Sequence, residues 1–404
     1  MKNKFIFFCL FTFCAITAFA QEALFDSNNI NSPIINADGS VTFNLFAPKA
    51  VKVEIKGDFL PKIIKDGDES EGIAELHEES NGVWTYTSKP LLAELYSYKF
   101  KVNGMDYLDP ANIYINRDIA TYTNIFIVTK DRGDKGSIYR VNEVPHGNVS
   151  KVWYESPTLK MQRRMTVYTP AGYDKGKKYP VLYLLHGAGG DEDAWSTLGC
   201  AVQIMDNLIA CGKAKPMIVV MPNGNLDYQA APGAWSKGMY KPMFKGDGAS
   251  KETASMEESF PDIVNYIEKN YHVLKGKSNR AICGLSMGGG HSFAISKQYP
   301  ELFDYVGLFS AAIFMKGSDP QSTDILNMQK DKQFNAQLTK QFNAKPRLYF
   351  IGIGNTDFLY KTNEDYRKYL DKHGYKYEYM ETDGGHIWRN WRIYLTHFAQ
   401  EIFK

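Results

Sequence analysis

A short stretch, AICGLSMGGG from Ala281 to Gly290, constrains the fold of this 404-residue chain more than any other feature. An apolar run is followed there by Gly-x-Ser-x-Gly and then by small residues that can begin a helix. A turn this tight between a strand and a helix favours glycine beside the serine, because a side chain would collide with the neighbouring backbone. The stretch predicts that the Ser286 hydroxyl stands clear of a sheet, beside a helix N-terminus whose N–H groups can stabilise negative charge.

The second half of the chain alternates between apolar runs of strand length and helical segments. The apolar runs are Val181–Leu185, Met217–Met221, Arg280–Cys283, Tyr305–Phe309 and Leu348–Ile351. The helical segments are Ala201–Ala210, Phe260–Tyr271, Ser292–Gln298, Asp365–His373 and Trp391–Phe403. Runs that are apolar throughout are typical of strands covered on both faces, and hence of a parallel sheet. Residues 149–404 are therefore predicted to form one doubly wound α/β domain.

Residues 21–130 are predicted to form a small all-β sandwich, because short segments there alternate between apolar and polar residues. These segments are Val41–Phe46, Val51–Ile55, Val83–Tyr86, Tyr96–Val102 and Ile125–Val128. The dipeptide Asn103-Gly104, directly after the fourth segment, indicates a tight hairpin. Residues 131–148 are rich in Asp, Gly and Lys and are predicted to be the linker between the sandwich and the α/β domain.

The first 20 residues have the pattern of an export signal. Lys2 and Lys4 precede an apolar run from Phe5 to Phe19, and Ala18-Phe19-Ala20 resembles a cleavage site. The run is shorter than the about 20 apolar residues that a membrane-spanning helix needs. A lipoprotein anchored through Cys14 is the alternative, although the residue before Cys14 is larger than usual. We therefore predict a cleaved signal peptide and a periplasmic or secreted protein, with no membrane attachment after cleavage.

Charge and cysteine content exclude several other classes of protein. Without residues 1–20 the chain has equal numbers of basic and acidic side chains, so it has no basic field for nucleic acid or anionic lipid. Cys200 and Cys211 flank a predicted helix that separates them by about 16 Å, too far for a disulfide. Together with Cys283 they are interpreted as small buried thiols. The sequence contains no cluster with metal-ligand spacing, so neither a metal nor another cofactor is expected.

A serine that transfers an acyl group needs a base for its proton and an acid that orients the base, in the chain order serine, acid, histidine. His386 follows Gly384-Gly385 on a loop before the last helix and is the candidate base; the alternative is a loop histidine that caps this helix. Asp357 follows an apolar strand and is the candidate acid, although an aspartate here is also a suitable helix cap. Asp383 is too close to His386 to reach its Nδ1 easily, and His291 is interpreted as a packing histidine.

Two backbone N–H groups are candidates for an oxyanion hole. One belongs to Met287, directly after Ser286. The other belongs to Ala188 in the loop His186-Gly187-Ala188-Gly189-Gly190, which follows the strand Val181–Leu185. An ordinary glycine-rich turn is the alternative, and a phosphate-binding loop is excluded because no Gly-Lys-Ser/Thr follows. The candidate serine, acid, base and glycine-rich loop all have the expected residue types and the expected order along the chain. Together they are more specific evidence for acyl transfer by serine than any one of them alone.

These motifs resemble those of the family-one carbohydrate esterases, an esterase D-like group that includes feruloyl esterases, acetylxylan esterases and relatives of enterochelin esterase. The resemblance covers about residues 148–404. It depends on Arg164–Pro170, Leu185–Gly190, Gly284–Gly289, Gly352–Gly354 with Asp357, and Gly384–His386 with Trp388. It implies an α/β-hydrolase domain with a central, mostly parallel sheet, in which Ser286 is the nucleophile, Asp357 the acid and His386 the base.

The first part of the chain resembles the immunoglobulin-like modules of family 48 carbohydrate-binding type that precede such esterases. The matching segments are Val41–Pro48, Val51–Gly57, Trp84, Tyr96–Phe100 and Asp109-Pro110. Trp84, Tyr86 and Tyr98 are candidates for stacking on sugar rings, but alternating aromatics in a sandwich more often form its core. We therefore expect this module to support or shape the active site rather than to bind glycan directly.

The acyl pocket is expected to include the long loop Asn223–Ser255, because loops at the carboxyl ends of parallel strands surround such a site. The aromatic residues of this loop, which suit a phenolic acyl group, are Tyr228, Trp235, Tyr240 and Phe244. Trp195 and Trp388 are further candidates for substrate binding. The alternative for all of these residues is packing within their own domain.

Three functions remain open from the sequence. The favoured one is an exported serine esterase that removes feruloyl or acetyl groups from plant xylan and arabinoxylan fragments. The second is a siderophore esterase that cleaves a catecholate trilactone with the same residues, for which a basic pocket would be expected. The third is a non-catalytic glycan-binding protein, which the complete set of candidate catalytic residues disfavours.

Overall fold

The computed structural model of the protein describes residues 30–65, 68–118, 121–131, 133–173, 176–225, 254–313 and 330–404. Within these ranges an all-β part precedes an α/β part. The strands of the all-β part are β1 (Ile34–Ile35), β2 (Val41–Phe46), β3 (Val53–Gly57), β4 (Ile63–Lys65), β5 (Asp68–Ser70), β6 (Gly72–Glu75), β7 (His77–Glu78), β8 (Val83–Thr87), β9 (Glu94–Val102), β10 (Met105–Tyr107), β11 (Ile115–Asp118) and β12 (Thr121–Val128). The strands of the α/β part are β13 (Asn148–Ser156), β14 (Met161–Thr169), β15 (Val181–Leu185), β16 (Ile218–Pro222), β17 (Arg280–Leu285), β18 (Tyr305–Phe309), β19 (Leu348–Gly354) and β20 (Glu378–Thr382). Its helices are α1 (Ala194–Thr197), α2 (Ala201–Ala210), α3 (Met256–Asn270), α4 (Met287–Gln298), α5 (Lys332–Asn343), α6 (Tyr360–Lys372) and α7 (Trp388–Glu401).

The all-β part is a sandwich of two antiparallel sheets. One sheet has the order β1-β2-β8-β7, and the other has the order β11-β12-β9-β3-β6, with β10 paired to β9. Every second residue of β2, namely Val41, Phe43 and Leu45, is buried, as the alternating sequence predicts. Asn103 and Gly104 both have positive φ and join β9 to β10 in a two-residue turn, which confirms the predicted hairpin.

The α/β part contains an eight-stranded sheet of order β13-β14-β16-β15-β17-β18-β19-β20. The strands from β15 to β20 are parallel, as predicted, whereas β13 and β14 form an antiparallel edge that the sequence did not indicate. Helices cover both faces of the sheet. Phe260 and Phe293 lie in the core beneath α3 to α6, and Trp195 and Trp391 lie in the core beneath α1, α2 and α7.

Helix α2 has its predicted bounds, whereas α3 and α4 begin earlier than predicted. Helix α3 begins after Ser255 because Ser255 and Glu258 form a capping box, in which each side chain accepts the other residue's backbone N–H. Helix α4 begins at Met287 and includes the glycine run. Glycine disfavours an isolated helix, but here it permits close packing, since a methyl group at Gly289 would lie 2.8 Å from Cα of Ala311.

The predicted linker, residues 131–148, is instead packed against the α/β part. Tyr139 is 4% exposed and lies in the core beneath α7. The side chain of Asn207 donates to the carbonyl oxygens of Ile138 and Arg140, both at 2.9 Å. The polar composition of this segment did not reveal these contacts, because they involve backbone carbonyls and one aromatic ring.

The sandwich shares this core with the α/β part. Leu95 of β9 and the side chains of Ile125 and Ile127 on β12 pack in the same cluster as α7. Arg392 of α7 is 3% exposed, and its guanidinium donates to the carbonyl oxygens of Leu95 at 3.1 Å and Leu198 at 3.2 Å. Because a buried charge needs such partners, this arginine depends on both parts of the chain.

Three further predictions concern membrane-spanning helices, the signal peptide and the cysteines. Among the described helices, none has the length and apolar character required to cross a membrane. The predicted signal peptide, residues 1–20, lies outside the described residues. Cys200 and Cys283 are buried thiols as predicted, but Cys211 is an exposed thiol, because it follows the last turn of α2 rather than facing the core.

Candidate active site

Ser286 lies in a strained turn between β17 and α4. Its φ of 52° and ψ of −115° fall outside the regions that residues with a side chain favour. Hydrogen bonds hold this conformation: the Ser286 N–H donates to Phe309 O, and the Ser286 carbonyl accepts from the Ala312 N–H, both at 2.9 Å. The residue is partly exposed at the carboxyl edge of the sheet. Its hydroxyl is therefore presented where the sequence predicts it.

Close backbone contacts explain the glycines around Ser286. A methyl group at Gly284 would lie 2.5 Å from the Gly288 carbonyl oxygen, and one at Gly288 would lie 2.4 Å from the His186 carbonyl oxygen. A methyl group at Gly187 would lie 3.3 Å from Cβ of Ser286. Glycine at these positions therefore lets the serine turn pack directly against the loop that follows β15.

The two candidate oxyanion donors lie on either side of this contact. Met287 is the first residue of α4, so its N–H belongs to the first-turn donors that have no partner within the helix. Ala188 follows Gly187 in the neighbouring loop and is partly exposed. Both residues thus border the space beside Ser286, and their part in catalysis stays a prediction.

His186 holds in place the loop from His186 to Gly190, which is called the oxyanion loop here because it carries the candidate donor Ala188. It is 2% exposed, with Nδ1 2.8 Å from the Gly187 carbonyl oxygen and Nε2 2.8 Å from the backbone N of Gly224. These two bonds require a neutral ring that donates from Nδ1 and accepts at Nε2. Burial lowers the pKa of His186 to about 4, so the ring stays neutral at physiological pH.

The structure brings Asp357 and His386 together. The His386 Nδ1 lies 3.0 Å from Oδ1 and 2.9 Å from Oδ2 of Asp357. The Asp357 carboxylate is buried and also accepts the backbone N–H of Leu359 at 2.8 Å. Because the carboxylate favours a proton on Nδ1, Nε2 is left as the acceptor, which is the arrangement a general base needs.

Trp391 connects His386 to the serine turn. Its ring packs edge-on against His386 at 4.9 Å, and its indole N–H donates to the Ser310 hydroxyl at 3.1 Å. Ser310 follows Phe309, whose carbonyl oxygen accepts the Ser286 N–H. Within the described residues the Ser286 hydroxyl makes no hydrogen bond to another side chain. Hydrogen bonds between catalytic groups are often long without substrate and tighten only when substrate binds.

The aromatic residues predicted to bind substrate differ in how deeply the structure buries them. Trp195 is 1% exposed, and its indole N–H donates to the Leu185 carbonyl oxygen at 2.9 Å, so it is a core residue rather than the expected pocket contact. Its ring fills the space beneath Trp388, which is partly exposed and packs edge-on against it at 5.3 Å. The residues of the long loop, Tyr228, Trp235, Tyr240 and Phe244, lie outside the described residues.

Phe358 is a candidate pocket residue that the sequence did not single out. Its side chain is 74% exposed, although its ring centre lies 4.4 Å from that of His386. A large apolar ring left in water beside a candidate catalytic group is suited to contact a substrate. The only signal in the sequence was its position directly after Asp357.

A second acid–histidine pair joins the serine helix α4 to α3. The His291 Nδ1 is 2.6 Å from Oε1 of Glu257. Burial disfavours the ionised carboxyl, but the hydrogen bond and charge of His291 outweigh it and lower the pKa of Glu257 to about 2. His291 is therefore hydrogen-bonded to a carboxylate as well as packed against its neighbours.

The geometry at His386 leads to a prediction for the pH dependence of activity. If Nε2 takes the serine proton, kcat/KM should fall as the pH is lowered, because an imidazole that already carries a proton on Nε2 cannot accept another. The His386→Ala variant should lose nearly all activity across the range, because an unactivated serine is a poor nucleophile. His77→Gln, which changes an exposed histidine of the sandwich, should keep the wild-type pH profile. A wild-type profile that is flat between pH 5 and 8 would count against His386 as the base.

Fold and site together define an α/β-hydrolase domain preceded by an immunoglobulin-like β-sandwich. Residues 156–401 match the family model described as "Putative esterase". Residues 31–115 match carbohydrate-binding module 48, the isoamylase N-terminal domain. The chain therefore belongs to this esterase family and carries a family 48 module before the esterase domain, which confirms both resemblances found in the sequence.

Individual relatives agree with this assignment. An endo-1,4-beta-xylanase/feruloyl esterase of Xylanibacter ruminicola is 31% identical over 383 residues, which are 92% of this chain and 46% of that relative. This chain thus spans about half the length of that curated relative. A ferulic acid esterase of Anaeromyces mucronatus, solved with ferulic acid, is similar to 65% of this chain and 93% of its own, with a TM-score of 0.51 and 27% identity. An enterobactin esterase of Shigella flexneri covers 90% of this chain and 92% of its own with a TM-score of 0.59, but at 14% identity it supports the fold alone.

Proposed function

We propose that this protein is an exported serine esterase that hydrolyses feruloyl or acetyl esters on xylan-type polysaccharides and their fragments. The observation that carries the proposal is the Asp357–His386 pair at the same sheet edge as the strained Ser286 turn. Two candidate N–H donors border that turn. These are the groups that acyl transfer by serine requires.

In the proposed mechanism, the Ser286 oxygen attacks the ester carbonyl carbon while Nε2 of His386 takes the hydroxyl proton. The N–H groups of Met287 and Ala188 donate to the oxyanion of the tetrahedral intermediate. The imidazolium, stabilised by Asp357, then gives its proton to the oxygen of the departing sugar. Water repeats these steps on the acyl-enzyme and releases the carboxylic acid.

The feruloyl preference is supported by two kinds of observation. The relatives named above include a xylanase/feruloyl esterase and a ferulic acid esterase solved with ferulic acid. In this chain, the exposed ring of Phe358 beside His386 offers an apolar surface to an aromatic acyl group. The location outside the cytoplasm is supported by the signal-like pattern of residues 1–20.

The proposal predicts a ranking of substrates for the purified protein. We expect kcat/KM to be highest for methyl ferulate, lower for an aryl acetate and lowest for a catecholate trilactone. Only methyl ferulate presents an aromatic acyl group to the proposed pocket, and the catecholate trilactone would need a basic pocket. Steady-state kinetics on the three esters provides the measurement. A preference for the trilactone would favour the siderophore function instead, and no turnover of any ester would favour the non-catalytic one.

A further inference from the structure

The pair formed by Glu257 and His291 is mostly buried, yet it has no part in the mechanism proposed above. The two side chains are 22% and 16% exposed, and Oε1 of Glu257 lies 2.6 Å from Nδ1 of His291. Burial raises the pKa of Glu257, but the hydrogen bond and charge of His291 outweigh it and lower the pKa to about 2, so the carboxyl is ionised at neutral pH. Because a carboxylate favours a proton on Nδ1, the pair fixes the orientation of the His291 ring.

The Cδ2 edge of this ring lies against Gly224, the second residue after β16. A methyl group at Gly224 would lie 3.7 Å from Cδ2 of His291, 3.6 Å from Cε of Met287 and 3.5 Å from Nε2 of His186. Met287 and His291 are four residues apart on α4, so they lie on one face of the helix. Gly224 is therefore packed between the serine helix and the oxyanion loop.

Gly224 and Asn225 hold the oxyanion loop at both of its ends. The Gly224 N–H donates to Nε2 of His186 at 2.8 Å, and the side-chain amide of Asn225 donates to the Gly190 carbonyl oxygen at 2.7 Å. The candidate donor Ala188 lies between these two anchored residues. The direction of its N–H therefore depends on the position of Gly224, which the serine helix contacts.

The charge of His291 acts on the same anchoring hydrogen bond. His186 accepts the Gly224 N–H only while its ring is neutral. Burial is the main cause that lowers the pKa of His186 to about 4, and the positive charges of protonated His291 and of Arg163 act in the same direction. A hydrogen bond to the loop backbone and the charge of Asp191 oppose them. Contact and charge of His291 thus both favour the bond that anchors the loop.

We propose that Glu257 and His291 are positioning residues for the oxyanion hole. The pair fixes the His291 ring against Gly224, and Gly224 holds the oxyanion loop where the Ala188 N–H can donate to the tetrahedral intermediate. This inference rests on the proposed function, because it gives the two residues a part in the same reaction, through the loop.

The test depends on the fact that an oxyanion hole stabilises the transition state more than the bound substrate. In the His291→Ala variant we expect kcat for methyl ferulate to fall about tenfold while KM changes less than about twofold. Loss of a whole donor costs about 10²–10³-fold, and here the donor is displaced rather than removed. Glu257→Ala should show the same split, and the double variant should lose no more than either single variant, because both changes remove one contact.

A second readout and a matched control separate this role from a general structural one. A trifluoromethyl ketone analogue of methyl ferulate forms an adduct that places an oxyanion in the hole, so its affinity for His291→Ala should fall in proportion to kcat. Glu257→Gln keeps an oxygen that accepts the His291 N–H and should lose less activity than Glu257→Ala. The control is His397→Ala, which removes a histidine from the acid–histidine pair that joins α7 to Glu378 of β20, and its kcat should stay within about twofold of the wild type.

Each outcome has a defined meaning. An unchanged kcat in His291→Ala, with a melting temperature near that of the wild type, would overturn the inference. So would a higher KM at unchanged kcat, which would assign the pair to the acyl pocket, or an equal fall of kcat in His397→Ala. If His291→Ala does not fold, the same split is measured in His291→Gln, whose side chain is closer in size to histidine.

Failure of the proposed function shows in the wild type instead. If the wild type hydrolyses an aryl acetate but not methyl ferulate, the acyl preference alone fails, and the variants are compared on the aryl acetate. If the wild type hydrolyses neither ester, the proposed function itself is contradicted before any variant is compared.

Discussion

Replacing Ser286 by alanine should lower kcat for methyl ferulate by on the order of 10⁵–10⁶-fold, because no other group in the proposed mechanism can form the acyl-enzyme. The substitution should leave the melting temperature near that of the wild type. The side chain is partly exposed, and the turn is held by backbone hydrogen bonds that alanine retains. Activity would be measured with enzyme concentrations high enough to detect the residual rate.

Ser292→Ala is the matched control for this change. Ser292 lies on the same helix, is buried, and donates to the Gly288 carbonyl oxygen at 2.7 Å. We expect this variant to keep activity within a few-fold of the wild type. Appreciable turnover by Ser286→Ala, or an equal loss in Ser292→Ala, would place the nucleophile elsewhere.

The second large effect is expected from Gly288→Ala, and it concerns stability as well as activity. In a simple helix, alanine is favoured over glycine by about 1 kcal/mol. Here the added methyl group would lie 2.4 Å from the His186 carbonyl oxygen and 2.5 Å from that of Leu185. Both are backbone atoms, so β15 and the oxyanion loop must move. We expect a loss of about 3 kcal/mol or more in the free energy of unfolding.

Urea denaturation followed by fluorescence would measure this loss, and kinetics on the folded fraction would show whether the displaced oxyanion loop also lowers kcat. Gly224→Ala is the control, because a methyl group at Gly224 would meet its nearest neighbours at 3.5 Å or more, which is ordinary contact. It should change stability by less than about 1 kcal/mol. Equal stability of wild type and Gly288→Ala would contradict the packing described for the serine turn.

The sequence was most informative where local pattern and tertiary structure depend on the same residues. The apolar runs predicted the parallel strands, because a strand covered on both faces must be apolar throughout. Ser286, Asp357 and His386 were chosen as candidates by residue type and chain order, and the structure brings Asp357 and His386 into contact. Their catalytic roles stay a prediction. The Asn103-Gly104 turn was found because its conformation depends on those two residues alone.

Other elements could not be predicted because they depend on contacts between distant parts of the chain. The early start of α4 requires close packing against β15 and β18, which no local propensity reveals. Residues 131–148 look like a linker, but Asn207 satisfies their backbone carbonyls from another element. Trp195 and Phe358 are both aromatic, and only the tertiary structure shows that the first is buried and the second exposed.

The most direct test of the central claim is to find which residue reacts covalently. The protein would be treated with diisopropyl fluorophosphate, digested and mapped by mass spectrometry. We predict one phosphorylated residue, Ser286, no such label in Ser286→Ala, and much slower labelling in His386→Ala because the base is missing. A label on another residue, or wild-type protein that stays unlabelled while it hydrolyses methyl ferulate, would contradict a mechanism that uses Ser286 as the nucleophile.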